Sequence, residues 1–211
     1  MYIGRIVAIG MTSTGQTAAM YRVSSRSFPN REARLSEKSV SIMPRKGFED
    51  DLSKNPYIAY NCIKIAGDYA VATNGSQTDP VAEKISSGMP VRDALALSLL
   101  AMDYEKDSYC TPRIAAVVHL EKAEGFLATV RKDALLVSEF TLRPATAFYV
   151  ATYEKNSPCA SSIEKTFTAV TASECCEFMI NGGVFASFEH PVTAACAVST
   201  GKTFEFAVKT I

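Results

Sequence analysis

The sequence has few histidines and no excess of charge of either sign. His119 and His190 are its only two histidines, which excludes a metal centre held by several histidines. Lysine plus arginine and aspartate plus glutamate both number 22, so the formal net charge is zero. The chain therefore lacks the broad basic field of a general nucleic-acid-binding protein. A small anionic ligand is still compatible with this balance, because it needs only a local basic cluster.

Signals of several other protein classes are also missing. No apolar run is long enough to span a bilayer and no signal peptide is evident, which predicts a cytoplasmic protein without a membrane partner. The six cysteines are spaced neither like a zinc site nor like a disulfide framework. Neither a Walker loop nor the glycine fingerprint of a dinucleotide-binding fold is present.

The length and composition predict one globular domain over residues 1–211. Hydrophobic residues make up 47% of the chain and charged residues 21%, and no composition shift marks a linker. Alternating and β-branched segments bounded by turn residues predict strands at 2–9, 17–24, 39–43, 58–65, 69–72, 113–119, 125–130, 134–138, 147–152 and 203–208.

Helices are fewer. Pro90 precedes an apolar run that predicts a helix over 91–102, buried between layers because it is apolar nearly all round. Thr171 and Glu174 have capping-box spacing, which predicts a second helix ending at Gly182, and a shorter helix is expected over 79–86. Many strands with few helices indicate an α+β fold. Two stacked antiparallel sheets flanked by helices and a single sheet with helices on one face both fit.

The most basic segment runs from Tyr21 to Arg31. It holds Arg22, Arg26, Arg31 and three serines within eleven residues. Arginine forks match phosphate oxygens bidentately, and serine hydroxyls add short hydrogen bonds. Pro29 stiffens the loop, so less entropy is lost when it orders around an anion. The segment predicts a phosphate cradle, and a solvated charged turn is the alternative.

A second polar cluster, from Asp103 to Asp107, follows directly from the apolar helix. It places Tyr104, Glu105 and Lys106 side by side. An acid, a phenol and an ammonium group in contact shift one another's pKa toward general acid–base catalysis. A charged helix terminus is the alternative.

Two further segments carry weaker signals. In the first, Tyr60 has the chemistry to donate to an oxyanion, and Asn61 can read an amide or a ribose hydroxyl. In the second, Asn74 lies in a turn just before an expected helix start, which is a favourable place for an anion. The alternative for the first segment is ordinary aromatic packing in an edge strand, and the alternative for the second is an ordinary turn, which the residues alone favour.

Taken together and in this order, the segments resemble archaeal-type IMP cyclohydrolases. The likeness extends to the start Tyr2–Arg5, to the chain length and to residues 111–116, 152–154 and 190–195. It implies the four-layer αββα sandwich of the N-terminal-nucleophile hydrolases. Members of that superfamily expose Cys, Ser or Thr as the mature first residue, whereas Met1 is followed here by Tyr2. The resemblance therefore implies the fold without N-terminal amidase chemistry.

The activity implied by the resemblance is ring closure of 5-formamidoimidazole-4-carboxamide ribonucleotide to IMP, with loss of water, in purine biosynthesis. It implies no metal and no cofactor, and a homo-oligomer is compatible with it. The implied catalytic residues are Tyr104, Glu105, Lys106 and Tyr60. The implied substrate-binding residues are Arg22, Ser25, Arg26, Asn30, Arg31, Asn61, Asn74 and Tyr153.

Two other functions stay open at this point. One is an amide hydrolase of the same fold that uses Cys62 or another internal thiol. The other is a non-catalytic purine nucleotide sensor, which the arginine cluster would also suit. The polar cluster at 103–107 favours an enzyme, because binding alone does not need it.

Overall fold

Thirteen strands and four helices make up the computed structural model, which describes residues 1–211. The strands are β1 (Ile6–Met11), β2 (Thr17–Ser24), β3 (Arg31–Leu35), β4 (Ser39–Pro44), β5 (Tyr60–Ala66), β6 (Tyr69–Thr73), β7 (Arg113–His119), β8 (Glu124–Arg131), β9 (Ala134–Thr141), β10 (Thr146–Ala151), β11 (Ile163–Glu164), β12 (Pro191–Ser199) and β13 (Phe204–Thr210). The helices are α1 (Asp51–Lys54), α2 (Thr78–Ser86), α3 (Val91–Met102) and α4 (Ala172–Asn181), with 3-10 turns at Pro56–Ile58 and Gly183–Ser187. None of the helices combines the length and the apolar character needed to cross a membrane.

The strands form two sheets. Sheet A has the order β11-β10-β1-β2-β12-β13, and sheet B has the order β3-β4-β5-β6-β7-β8-β9. Pairings between the named strands are antiparallel in both sheets. Sheet B follows the chain order, so it is a succession of neighbouring strands. Sheet A instead places the first two strands of the chain beside the last two, because β12 pairs with β2.

Three apolar layers hold these elements together. Strand β1 shows the pattern, since Val7 and Ile9 join the core between the two sheets. Its alternate residues Ile6 and Ala8 join the core between sheet A and α4. A third core lies between sheet B and the pair α2 and α3. Because central strands such as β1, β2 and β7 are covered on both sides, they are buried on both faces, and the four layers are α, β, β and α.

The α+β sandwich predicted from the sequence is confirmed, with two antiparallel sheets flanked by helices. Strands β2 and β7 and helix α3 have the predicted bounds. Three strands were not predicted, namely β3, β11 and β12. Strand β12 contains three alanines, and alanine is uncommon in strands, so this segment gave no β signal.

The predicted burial of helix α3 is wrong. The helix lies outside sheet B, and only the face with Ala94, Leu95 and Leu99 is covered. Leu97 is 49% exposed and Leu100 is 66% exposed on the opposite face. Although α3 is apolar nearly all round, it packs against the protein on one face only.

The capping box at the start of α4 is confirmed. The Thr171 hydroxyl accepts a hydrogen bond from the Glu174 backbone N–H at 3.2 Å, and the Glu174 carboxylate accepts one from the Thr171 N–H at 3.2 Å. Two of the four free N–H groups of the helix end are satisfied in this way.

Candidate functional site

A cavity of about 430 Å³ lies at one end of sheet A, where β1 begins and β2 and β10 end. Its walls come from the residues before β1, the loop after β2, the loop after α3 and the residues after β10. Glu105, Arg5, Arg31, Ser25 and Tyr153 are among the side chains that line it. The volume suits a small molecule with a few polar groups.

An ion pair forms one part of the cavity wall. An Nη2 proton of Arg5 is donated to Glu105 Oε2 at 3.1 Å. Glu105 is only 2% exposed, and its second oxygen, Oε1, is buried without a hydrogen-bond partner. A buried acceptor without a partner costs free energy. The carboxylate therefore has one oxygen held by Arg5 and one without a hydrogen-bond partner in the protein.

Burial changes the pKa of both groups. Desolvation raises the pKa of Glu105, although the neighbouring Arg5 partly opposes this shift. For Arg5 burial alone would lower the pKa, but attraction from Glu105, and then from Tyr60 and Tyr21, makes the net pKa higher than usual. Arg5 is thus a permanent cation, while Glu105 holds a proton more readily than an exposed glutamate.

Arg31 supplies a second unpartnered group. Its Nε donates to the Phe28 carbonyl at 3.1 Å, which fixes the side chain against the loop after β2. The residue is only 3% exposed, and its Nη1 is buried without a hydrogen-bond partner. Guanidinium N–H groups are rarely left unpaired inside a protein. The free donor and the free acceptor of Glu105 both belong to residues that line the cavity.

The loop after β2 carries further donors. Ser24, Ser25, Arg26 and Ser27 line the cavity. The Ser25 hydroxyl accepts a hydrogen bond from the Phe28 N–H at 3.0 Å, so its own proton is free for a ligand. The Arg26 guanidinium lies 4.3 Å from the centre of the Tyr2 ring. Hydroxyls and guanidinium groups of this kind bind phosphate.

The comparisons with known proteins agree in one family. Residues 2–203 match the family model described as IMP cyclohydrolase-like protein. The chain belongs to this family. It is 50% identical over 197 residues to an IMP cyclohydrolase of Methanosphaera stadtmanae, which covers 93% of this chain and 94% of that protein. It is also 50% identical over 209 residues to an IMP cyclohydrolase of Methanocella arvoryzae, covering 99% and 98% respectively.

A third relative gives the same result. The IMP cyclohydrolase of Natronomonas pharaonis is 45% identical over 206 residues, which covers 97% of this chain and 96% of that protein. The resemblance drawn from the sequence is therefore confirmed at the level of the family. The kinship with N-terminal-nucleophile hydrolases stays a prediction.

In this IMP cyclohydrolase-like chain, Arg22 lies away from the cavity. It is 0% exposed, and its Nη1 and Nη2 donate to the carbonyls of Phe185 at 2.8 Å and Phe188 at 2.6 Å. Nη1 also donates to the Met179 carbonyl at 3.0 Å, and Nε donates to Ser24 Oγ at 3.0 Å. Burial lowers the pKa of Arg22 to about 10. All three nitrogens of this guanidinium are hydrogen-bonded within the protein, and the residue is not part of the cavity lining, so it ties β2 to α4 and the segment after it.

The three asparagines of the predicted site also lie outside the lining of the cavity. The Asn74 side chain bonds the Pro112 carbonyl at 2.9 Å and the Ile114 N–H at 2.8 Å, and so holds a turn. Asn61 donates to Asp79 at 3.0 Å. The Asn30 backbone carbonyl accepts a hydrogen bond from the Arg45 N–H at 2.9 Å, just before β3 begins and just after β4 ends.

Three residues of the cluster that follows α3 were predicted to be catalytic, namely Tyr104, Glu105 and Lys106. Of these three, only Glu105 lines the cavity. Lys106 is 58% exposed, pairs with Asp103 at 2.5 Å and lies 3.6 Å from the centre of the Tyr104 ring. The chain reverses at Asp103, which has a positive φ of 53°, and the Glu105 N–H then bonds the Thr111 carbonyl at 2.8 Å. Neighbours in sequence therefore point to opposite sides of the loop.

Tyr60 lies behind the cavity rather than in its wall. Its hydroxyl is 2.5 Å from that of Tyr21, and burial raises the pKa of both phenols. Arg5 and Arg31 are close enough to Tyr60 to lower its pKa in part. Tyr60 thus supports the two arginines from the inter-sheet core.

The structure adds Arg5, Asp107 and Thr111 to the cavity. Arg5 was missed because it is a single basic residue in a strand-like start. Its neighbour Gly4 has φ of 72°, and a Cβ there would lie 2.1 Å from Thr152 Oγ1. Gly4 therefore packs directly against Thr152 and Tyr153. A glycine beside Arg5 was the sequence signal that two chain segments approach closely here.

No group of three or more His, Cys, Asp or Glu side chains is arranged to hold a metal ion. Cys62, the thiol considered for an amide hydrolase, is fully buried between the sheets, where burial raises its pKa well above the usual value. A buried thiol of raised pKa is a poor nucleophile.

Proposed function

We propose that this protein closes the ring of 5-formamidoimidazole-4-carboxamide ribonucleotide to give IMP and water. The observation that carries the proposal is the pair of buried, unpartnered groups, Glu105 Oε1 and Arg31 Nη1, in the wall of one cavity. The family and the names of the relatives, which are IMP cyclohydrolases at 44–50% identity, agree with this activity.

The reaction needs little besides positioning and proton transfer. The carboxamide nitrogen attacks the formyl carbon, one of its protons goes to the formyl oxygen, and a cyclic carbinolamine results. The hydroxyl then leaves as water with the proton of the former formamido nitrogen, and a C=N bond forms. Both reacting groups belong to one molecule, so the substrate itself supplies much of the proximity.

Glu105 is the proposed proton carrier. Its free Oε1 carries the carboxamide proton to the formyl oxygen, and then carries the proton of the former formamido nitrogen to the departing hydroxyl, while Oε2 stays bound to Arg5. A carboxylate of raised pKa is suited to both steps at near-neutral pH. Arg5 keeps the carboxylate in place, and its positive charge favours the oxyanion that develops on the formyl group.

The phosphate is assigned to the loop after β2. Ser25 and Arg26 supply hydroxyl and guanidinium donors at the rim, and the unpartnered Nη1 of Arg31 supplies one from within. Tyr153 contributes a polar group to the base or ribose. Of the residues expected from the resemblance, Ser25, Arg26, Arg31, Glu105 and Tyr153 keep direct roles in this proposal.

The remaining expected residues receive indirect roles or none. Tyr60 supports Arg5 and Arg31 from behind. The others, which are held by contacts elsewhere, are Arg22, Asn30, Asn61, Asn74, Tyr104 and Lys106. We place the enzyme in purine biosynthesis in the cytoplasm, as a single domain.

The test is conversion of the formamido ribonucleotide to IMP, followed by absorbance, with purified protein and a chelator. Turnover that persists with the chelator is expected. Glu105→Gln should abolish most of it, and Glu139→Gln, which changes an exposed glutamate of β9, is the matched control.

Lys106→Met separates the two assignments of the catalytic group. The structure predicts near-normal turnover, because Lys106 pairs with Asp103 on the surface. Loss of turnover comparable with that of Glu105→Gln would restore the assignment based on the sequence. Tight IMP binding by the wild type without any turnover would instead favour a nucleotide sensor.

A further inference from the structure

A chain of hydrogen bonds in the cavity wall has a fixed direction. Thr111 Oγ1 donates to Asp107 Oδ2 at 2.7 Å and lies 3.0 Å from the Tyr153 hydroxyl oxygen. All three residues line the cavity. A threonine hydroxyl has a single proton, so it donates to one partner at a time.

Asp107 accepts that proton. Its other oxygen, Oδ1, already accepts the backbone N–H of Thr111 at 2.9 Å and of Tyr109 at 3.2 Å. Both of its oxygens thus act as acceptors, and a carboxylate oxygen has no proton to donate to Thr111. The proton of Thr111 therefore points to Asp107 and away from Tyr153.

The Tyr153 hydroxyl must then donate to Thr111. Burial raises the pKa of Tyr153, so the phenol keeps the proton that it donates. Its only protein hydrogen-bond partner is Thr111, and Arg5 donates to Glu105 instead. The lone pairs of the phenol oxygen are left free, while its proton is not.

We infer that Tyr153 is a specificity-determining residue that offers an acceptor, and not a donor, to the ligand. The group it selects is a ligand N–H, which in the proposed reaction is the carboxamide nitrogen of the substrate and the ring N–H that survives in IMP. Asp107 and Thr111 are positioning residues that set this polarity. The inference rests on the proposed function for the identity of the ligand.

Positioning of this kind has a use in the reaction. A carboxamide whose N–H is bound to Tyr153 is held in one rotamer, with its nitrogen directed as the attack requires. The same contact does not exist for an analogue that has no N–H on that edge. Such an analogue would leave the Tyr153 oxygen without a hydrogen-bond donor, and this unpaired acceptor disfavours its binding.

The experiment compares the binding of two nucleotides by calorimetry. One is IMP, which has the ring N–H, and the other is purine ribonucleoside 5′-monophosphate, which has none. Tyr153→Phe should weaken IMP binding about tenfold and leave the analogue within about twofold, as expected for one lost hydrogen bond. Equal losses for the two nucleotides would overturn the inference.

Thr111 provides the second variant and the rescue. Thr111→Val removes the acceptor of the Tyr153 proton, which is then free to turn into the cavity, so the preference for IMP should shrink by about the same factor. Thr111→Ser, which keeps the hydroxyl, should restore the preference. A double variant, Thr111→Val with Tyr153→Phe, should lose no more preference than Tyr153→Phe alone, and additive losses would contradict the relay.

The outcomes separate this inference from the proposed function. Wild-type protein that binds both nucleotides but fails to cyclise the formamido substrate would refute the function while leaving the polarity of Tyr153 testable by binding. Normal cyclisation with no change in nucleotide preference in any variant would refute the inference alone. Thermal unfolding of each variant shows whether the fold is retained.

Discussion

Two regions of this molecule hold charged groups away from water, and they handle them differently. Behind sheet A, Arg22 donates to one hydroxyl and to main-chain carbonyls in and after α4, so each of its three nitrogens has a partner within the protein. In the cavity, Glu105 and Arg31 each keep one buried polar atom without a partner. In the first region the charged group stabilises the fold through its hydrogen bonds. In the second region the charged groups keep polar atoms that a ligand can bind. Mutations should therefore affect stability in one region and function in the other.

The largest effect is expected for Glu105→Gln. Loss of a general acid–base group typically lowers kcat by about 10²–10⁴-fold. IMP affinity should change much less, because the amide keeps the shape of the side chain. Steady-state kinetics measure both quantities. A variant with full kcat would remove Glu105 from the catalytic role and blur the distinction between the regions.

Arg22→Met should have the next largest effect, and on stability. Burying the carbonyls of Phe185 and Phe188 without donors costs roughly 1–3 kcal/mol each, so the free energy of unfolding should fall by about 3–5 kcal/mol. Urea denaturation measures the change. Should the variant keep wild-type stability and lose phosphate binding instead, Arg22 would belong to the site after all.

Arg31→Met is the counterpart nine positions further along the same basic segment. It removes a charge-assisted donor, worth about 1.5–3 kcal/mol, so the dissociation constant for IMP should rise by roughly 10–100-fold. Its free energy of unfolding should fall less than that of Arg22→Met. Calorimetric titration and urea denaturation of the two variants side by side test the comparison directly.

The pH dependence of kcat sharpens the assignment of Glu105. The proposed step starts from the carboxylate, and burial raises the pKa of this group above 4.5. Turnover should therefore fall about tenfold per unit as the pH drops below that raised pKa, and the fall should begin at a higher pH than for an exposed glutamate. Glu105→Gln should lack this acid limb in its residual activity. An acid limb unchanged in the variant would point to a different group.

The smallest effect is expected at the cap of α4. Thr171→Ala removes the acceptor for the Glu174 N–H and should cost about 1 kcal/mol of unfolding free energy. Thr171→Ser keeps the cap and serves as the control. Kinetic constants should stay unchanged in both, since Thr171 lies on the outer layer, away from the cavity. A change in kcat would show that the outer helix is coupled to the site.

The sequence by itself determined the elements whose signals are local. Strand periodicity, Pro90 before α3 and the capping box at Thr171 all depend on residues a few positions apart, and these predictions are confirmed. Strand β12 escaped because its alanines carry little β preference and its stability comes from pairing with β2 and β13. The family was also accessible, because an ordered set of short polar segments is specific even when each is weak.

Only the tertiary structure decided which polar residues face the cavity. Arg22 and Arg31 belong to one basic segment, yet one lies behind the sheet and the other in the wall, because strand residues alternate between faces and the loop after β2 turns between them. Glu105 and Lys106 are adjacent and separate for a similar reason, at the reversal of Asp103. Arg5 and Tyr153 meet only because β1 pairs with β10. Composition and spacing state which chemistry a chain carries, but long-range strand pairing fixes where each group points.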